Sequence, residues 1–231
     1  MKYTLISVCL ISLIGCASLK ESAKYGLNNG KYTLKTEKEP NKKIYLDNED
    51  DTLIIYALDS NKTPTKNIYR LLPTLESLPS PPKMNIKKKT FDVDLLTIPF
   101  KYRPSTSTVP NQLNTNFNGA VFIGYRSDLY KINYRKSPLN QFKRTIRHFG
   151  YSIGIINGIG TTAMTPTTTT YNIDIEYDGI VYFNGIGIIL AIDNLTLGVS
   201  LGYDKLLDKN KTFWVYQNKP WLGLVLGLNL N

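Results

Sequence analysis

Hydrophobic residues alternate with small or polar residues along most of the second half of the chain, and this period of two predicts β-strands. In segment 195–203, leucine, valine and tyrosine occupy every second position, and glycine, serine and threonine lie between them. The same alternation occurs in 96–103, 117–125, 149–158, 185–192 and 221–231. Counting 172–192 as two strands, or 213–217 as a strand of its own, we expect residues 91–231 to form an all-β, antiparallel up-and-down barrel of about eight strands.

Shorter alternating segments precede the barrel and predict a small β-meander within residues 16–58. They comprise 30–36, 42–48 and 51–59, and a tight turn separates the last two. Five of the 12 prolines then fall between residues 59 and 90. This density favours an extended Pro-rich linker, with one helical turn near 67–72, and places a domain boundary there.

The second face of the barrel strands is unusual for a protein in water, because it carries almost no charge. Between Gly185 and Gly202 the sequence holds one charged residue, Asp193, in a turn. If the hydrophobic face meets lipid instead, the small residues line the interior of a narrow barrel. Segments of about ten residues suit tilted membrane strands, and aromatic residues near their ends suit an interfacial girdle. These aromatic residues are Tyr102, Tyr125, Tyr151, Tyr203, Trp214 and Trp221.

The first sixteen residues, MKYTLISVCLISLIGC, have the pattern of a signal peptide. Lys2 supplies a positive start, and the apolar run from Leu5 to Ile14 is shorter than the about 20 residues of a membrane-spanning helix. Cys9 lies inside this run and would be lost with it, which leaves Cys16 as a single cysteine in an oxidising compartment.

The segment Leu13–Ile14–Gly15–Cys16 resembles a bacterial lipobox. The resemblance implies that residues 1–15 are a lipoprotein signal peptide and that Cys16 is acylated after cleavage. No aspartate follows the cysteine, so the resemblance favours the outer membrane. An ordinary secretory signal, with Cys16 incidental, remains the alternative.

Residues 91–231 resemble the small outer-membrane β-barrel proteins of Gram-negative bacteria, on the alternation and girdle described above. Such proteins usually end in a terminal aromatic residue, whereas this chain ends in Asn231. The resemblance implies a transmembrane barrel with outer-membrane lipid as its partner, and lipopolysaccharide stays open as a second partner.

The formal net charge of +10 is compatible with an anionic partner. Basic residues cluster loosely in 83–89 and from Arg126 to Arg147, and no nucleic-acid-binding motif accompanies them. We therefore expect attraction to lipid phosphate and no nucleic acid.

Candidate chemistry is sparse. His148 is the single histidine, and Ser152 lies on the same strand face, but four residues of strand separate them by about 13 Å, too far for a catalytic dyad. Cation-binding pairs are conceivable at Asp92 with Asp94 and at Asp174 with Glu176, and less so in segment 47–51, but charged strand ends outside the lipid explain them better. We expect no cofactor, no metal site and no enzymatic activity.

These observations predict a lipid-anchored outer-membrane β-barrel protein with a structural, binding or assembly role. Two alternatives remain at this point. One is a soluble periplasmic β-barrel that is tethered through Cys16 and binds an apolar ligand, and the other is a barrel enzyme that modifies lipid.

Overall fold

The computed structural model describes residues 26–36, 41–76, 83–192 and 195–227 as an antiparallel all-β protein. Cys16, the rest of the predicted signal region and the last four residues lie outside these ranges. Short 3₁₀ turns occur at Thr167–Thr169 and Lys209–Thr212. The strands are β1 (Gly30–Lys35), β2 (Lys42–Glu49), β3 (Thr52–Leu58), β4 (Pro64–Leu71), β5 (Thr74–Leu75), β6 (Met84–Arg103), β7 (Gln112–Asn114), β8 (Asn118–Lys136), β9 (Phe142–Met164), β10 (Tyr177–Ile192), β11 (Leu195–Leu206) and β12 (Pro220–Gly227).

Six of the described strands close into a ring. Their order is β6, β8, β9, β10, β11 and β12, and β12 pairs back onto β6. The predicted all-β, antiparallel up-and-down architecture is therefore confirmed. The ring has fewer strands than the expected count of about eight, because 177–192 is one strand and 213–217 lies in a connection.

The N-terminal strands continue the same sheet. β1 pairs with the first residues of β6, and β2, β3 and β4 follow in order. Strands β6, β8 and β9 are 20, 19 and 23 residues long, so they extend past the ring and form one wall of this N-terminal layer. Its core contains Leu34, Ile44, Leu53, Ile86 and Ile132, all fully buried.

The predicted linker at 59–90 is corrected in its described part, which forms β4, β5 and the first residues of β6. Pro64 is the first residue of β4, which is the last strand of the sheet, and Pro73 lies between β4 and β5. Both are positions where a missing backbone N–H costs no ladder hydrogen bond. The helical turn expected near 67–72 is wrong, since residues 67–71 belong to β4.

The two ends of the ring differ. The connections 137–141 and 193–194 follow β8 and β10 at the end where the N-terminal layer lies, which we name the sheet end. The longer connections 104–111, 165–176 and 207–219 lie at the opposite end, the loop end, and pack around Val109, Met164 and Trp214. The Thr-rich segment 161–170 therefore lies at the loop end, whereas the basic segment 135–147 lies at the sheet end.

Candidate functional site

The outer surface of the ring is an apolar belt that covers every strand. Its side chains are exposed although they are large and hydrophobic, and they alternate with buried residues. Asn157 and Asn184 are polar exceptions on the outer surfaces of β9 and β10. The apolar belt consists of Phe91, Val93, Leu95, Phe100, Tyr102, Val121, Ile123, Tyr125, Phe149, Tyr151, Ile153, Ile155, Ile159, Ile180, Ile186, Ile188, Leu190, Ile192, Leu197, Val199, Leu201, Tyr203, Leu222 and Leu224.

The height of the apolar belt can be estimated from β9, where it runs from Phe149 to Ile159. Ten steps of about 3.3 Å, tilted by about 40°, cover about 25 Å along the ring axis. This equals the apolar band of outer-membrane barrels, which is about 25 Å tall.

Aromatic residues lie near both margins of the apolar belt. Tyr102 and Tyr203 are exposed toward the loop end, and Tyr125 and Tyr151 toward the sheet end. Phe91 contacts Tyr125 edge to face, with ring centroids 6.0 Å apart. The girdle expectation is wrong for two residues, because Trp214 and Trp221 are buried inside the protein.

The inner faces of the strands fill the ring with side chains. Phe122, Ile156, Phe183, Trp221 and Val225 form a buried cluster there. Glycines provide room for these large rings, as at Gly202, where a Cβ atom would lie 2.5 Å from the Trp221 ring. The expected small-residue face therefore does point inward, and its glycines accommodate bulky partners from neighbouring strands.

A first charged group, the inner cluster, lies within this lumen. It consists of Lys101 and Arg103 on β6 and Asp204 on β11, all nearly or completely buried. Lys101 Nζ donates to Asp204 Oδ1 at 2.8 Å, and the Arg103 guanidinium donates to the other carboxylate oxygen and to the Thr162 hydroxyl. One carboxylate thus serves two cations.

Aromatic rings complete the surroundings of these two cations. Lys101 Nζ lies 3.8 Å from the centre of the Phe183 ring and 4.5 Å from that of Trp221. The central carbon of the Arg103 guanidinium, Cζ, lies 5.1 Å from the centre of the Trp214 ring. Such contacts stabilise a cation most where water is excluded, so they offset part of the excess positive charge.

A second charged group, the mouth cluster, lies where the ring opens toward the sheet end. His148 Nε2 is 2.7 Å from Asp128 Oδ1, and Arg126 Nε donates to the same oxygen at 2.8 Å. The Ser152 hydroxyl donates to Asp92 at 2.7 Å, and Arg126 Nη1 is 3.9 Å from that carboxylate. All five side chains are buried, and together they form a network of ion pairs and hydrogen bonds.

The N-terminal segment covers this opening. Gly26 and Asn28 border a cavity of about 380 Å³ together with Lys88, Arg126 and Tyr130. Next to it, Tyr32 packs edge to face on Tyr130 and donates its hydroxyl to the Asn28 carbonyl at 2.7 Å. Burial, and secondarily the charge of Asp128, raises the pKa of Tyr32 to about 12, so this hydroxyl stays a donor at physiological pH.

Among the residues considered for chemistry, the structure separates His148 from Ser152. Both point inward, as the shared face predicts, but each is hydrogen-bonded to a different carboxylate. Asp92 is buried in the mouth cluster, whereas Asp174 and Glu176 are exposed in a loop-end connection. Within the described ranges, no group of three or more His, Cys, Asp or Glu side chains could hold a metal ion.

The sequence interpretation did not single out Lys101, Arg126, Asp128 or Asp204 as interior charges. Strand parity could have found two of them, because Arg126 and Asp128 continue the inward positions Phe122 and Gly124 of β8. Lys101 lies at an inward position between the exposed Phe100 and Tyr102, but alternation alone does not show which carboxylate is its buried partner.

The mouth cluster requires a residue without a side chain at position 150, and a substitution there tests this requirement. A Cβ atom at Gly150 would lie 2.8 Å from Asp128 Oδ1 and 3.1 Å from Arg126 Nη2. We expect Gly150→Ala to destabilise the protein by about 1–3 kcal/mol, because the added methyl group would displace a carboxylate oxygen that both Arg126 and His148 contact. Urea unfolding of the detergent-solubilised protein measures this loss.

The matched control is Gly119→Ala, also in a ring strand. The nearest atom to its Cβ would be the tip of the flexible Phe117 side chain at 3.3 Å, which can move aside. Equal unfolding midpoints for the two variants would show that the mouth cluster tolerates the added methyl group.

Comparison of the chain with protein-family models, with curated proteins and with solved structures finds no match. In the described residues, no helix has the length and hydrophobicity needed for a helical membrane crossing.

Proposed function

We propose that this protein is a lipid-anchored, integral β-barrel protein of the outer membrane of a Gram-negative bacterium. The observation that carries the proposal is the apolar belt, which covers the ring while the charged side chains of Lys101, Asp204 and the mouth cluster are buried inside it. A protein in water has the opposite arrangement, and exposed apolar surface of this extent marks contact with a membrane or with another protein.

The role supported best is structural or binding, with the barrel holding the N-terminal layer at the membrane surface. β1 to β4 belong to the same sheet as the ring through the pairing of β1 with β6. Because strands β6, β8 and β9 run unbroken through both parts, the layer is positioned by the barrel rather than carried on a tether.

The proposal also gives an orientation. In bacterial outer-membrane barrels, short turns face the periplasm and long loops face outward. The connections 137–141 and 193–194 are the short ones, so the sheet end faces the periplasm. Cys16 is ten residues before Gly26, a distance of at most about 35 Å, so its acyl chains reach the same leaflet.

The alternative of a tethered soluble barrel with an apolar ligand has less support. In that case the large apolar side chains would surround a lumen with room for the ligand, whereas in the described ring most of them face outward, and Phe122, Phe183, Trp221 and the inner cluster fill the lumen. The lipid-modifying enzyme would need a nucleophile and a base in contact, and His148 and Ser152 bond to different carboxylates.

Membrane extraction tests the proposal. A Cys16→Ala variant with a non-lipoprotein signal peptide is expected to remain in outer membranes washed with alkaline carbonate and with urea, because the apolar belt holds it there. The wild-type chain, washed in parallel, controls for expression and localisation. Release of the variant, with retention of the wild type, would show that Cys16 alone anchors a water-soluble barrel.

A further inference from the structure

Beyond the apolar belt, the outer surface of the four neighbouring strands β1, β6, β8 and β9 becomes basic toward the sheet end. We name this surface the basic face. It carries eight exposed cations on β1, β6, β8 and β9, and the other described residues of these strands on the same surface are uncharged. The basic face consists of Lys31, Lys35, Lys87, Lys89, Lys131, Arg135, Lys143 and Arg147.

The basic face begins where the apolar belt ends. Lys89 precedes Phe91 on β6 by two residues, and Arg147 precedes Phe149 on β9 by two residues, so each pair shares a strand face. Two residues of strand cover about 6.6 Å, which places these cations beside the margin of the apolar belt.

Within the part of the chain that the structure describes, cations of the basic face lie opposite one another and not opposite acids. Lys131 pairs directly with Arg147 across β8 and β9, and Arg135 pairs with Lys143. Like charges in directly opposed positions destabilise a sheet. Among the described residues, none of the eight cations forms an ion pair. An external anion between the strands would remove this repulsion.

The loop end shows no such imbalance. Its exposed lysines are Lys205, Lys209, Lys211 and Lys219, and acidic side chains lie in the same connections or strand ends. These acids are Asp174, Glu176, Asp178 and Asp208. The excess positive charge of the described surface is therefore concentrated at one end of the ring.

From this geometry we infer that the basic face binds the phosphates of anionic phospholipids in the leaflet at the sheet end, an inference that rests on the proposed membrane function. The apolar belt brings Lys87, Lys89, Lys131 and Arg147 to the depth of the headgroups, where clustered Lys and Arg side chains attract anionic lipid. Lipid binding fixes the tilt and depth of the barrel and draws the N-terminal layer against the membrane.

The experiment compares short-chain phosphatidylglycerol with short-chain phosphatidylcholine. Both are titrated into the full-length protein in a neutral detergent, and native mass spectrometry counts the bound lipids. We expect phosphatidylglycerol to bind at least about tenfold more tightly at low salt, and this preference to disappear at high salt.

Two quadruple variants locate the binding surface. Replacing Lys87, Lys89, Lys131 and Arg147 by Gln is expected to abolish the preference for phosphatidylglycerol. Replacing Lys205, Lys209, Lys211 and Lys219 by Gln removes the same charge at the loop end and is expected to leave the preference intact. If the first variant fails to fold, the single change Lys131→Gln must still weaken phosphatidylglycerol binding while phosphatidylcholine binding stays unchanged.

The outcomes separate this inference from the proposed function. If the Cys16→Ala variant stays in the membrane after the carbonate wash but the protein binds both lipids equally, the inference is overturned and the membrane proposal is retained. If carbonate releases the Cys16→Ala variant, both the inference and the membrane proposal are overturned. Tighter binding of a short single-stranded oligonucleotide, with displacement of phosphatidylglycerol, would assign the basic face to nucleic acid and overturn the inference.

Discussion

The substitution Asp204→Asn is expected to destabilise the folded protein by about 3–5 kcal/mol, because it leaves two buried cations without a countercharge. Lys101 and Arg103 both donate to this carboxylate, and the side chains of Lys101 and Asp204 are fully buried. Asparagine keeps the size of aspartate and one acceptor oxygen, so the loss reports mainly the missing charge. The shift of the urea midpoint in detergent measures it.

Removing one cation of the inner cluster should lower the free energy of unfolding less than removing the charge of Asp204. Lys101→Met leaves Arg103 and Asp204 as a one-to-one pair, and methionine fills the space against Phe183 and Trp221. Combined with Asp204→Asn, the same change should recover part of the lost stability, because only one cation then remains unbalanced.

Asp174→Asn, at an exposed loop position, is the control and should leave the midpoint unchanged. If Asp204→Asn unfolded at the midpoint of this control, the inner cluster would not depend on charge balance.

Most of the strands could be predicted from the sequence, because alternation survives wherever one strand face meets apolar surroundings and the other is packed tightly. The segments 30–36, 42–48, 149–158 and 195–203 all fall within observed strands or end within one residue of them. Strand lengths were underestimated, since β8 and β9 continue beyond the ring, where the alternation is kept but the apolar residues, such as Tyr130 and Ile132, change to the buried face and cations occupy the outer face.

Residues 96–103 show where simple alternation fails. The pattern places Leu96, Ile98, Phe100 and Tyr102 on one face, but Leu96 and Ile98 are buried in the lumen whereas Phe100 and Tyr102 are exposed. The pairing of β6 with β12 changes register beside Pro99, which has no N–H for the ladder. Such an irregularity exchanges the faces of the strand, and alternation carries no information about its position.

The interior charges could be predicted only in part, for a related reason. Parity places Lys101, Asp128 and His148 on inward faces, but the partners come from other strands, as with Lys101 and Asp204, which are 103 residues apart in sequence. Which cation meets which carboxylate depends on the closure and stagger of the ring, which are set by pairings between distant segments.

Charged side chains are buried inside this protein and apolar side chains are exposed outside. The effect of an outer-surface substitution on stability therefore depends on whether the protein is in water or in a bilayer. A charged substitution on the outer surface would leave the stability of a protein in water nearly unchanged, because it replaces exposed apolar surface. In a bilayer the same substitution brings a charge into hydrocarbon. The belt position Ile153, which is 57% exposed and near the middle of β9, therefore distinguishes the two environments.

Ile153→Arg is expected to destabilise the protein in lipid vesicles by about 2–4 kcal/mol, the cost of an arginine facing lipid near the bilayer midplane. The matched control is Ile175→Arg, because Ile175 is 67% exposed but lies in the 165–176 connection at the loop end, outside the apolar belt. Denaturant unfolding of both variants in vesicles should give a lowered midpoint for Ile153→Arg and an unchanged one for Ile175→Arg. A barrel in water would tolerate both changes equally and fold without lipid, so equal midpoints would place the apolar belt outside the membrane.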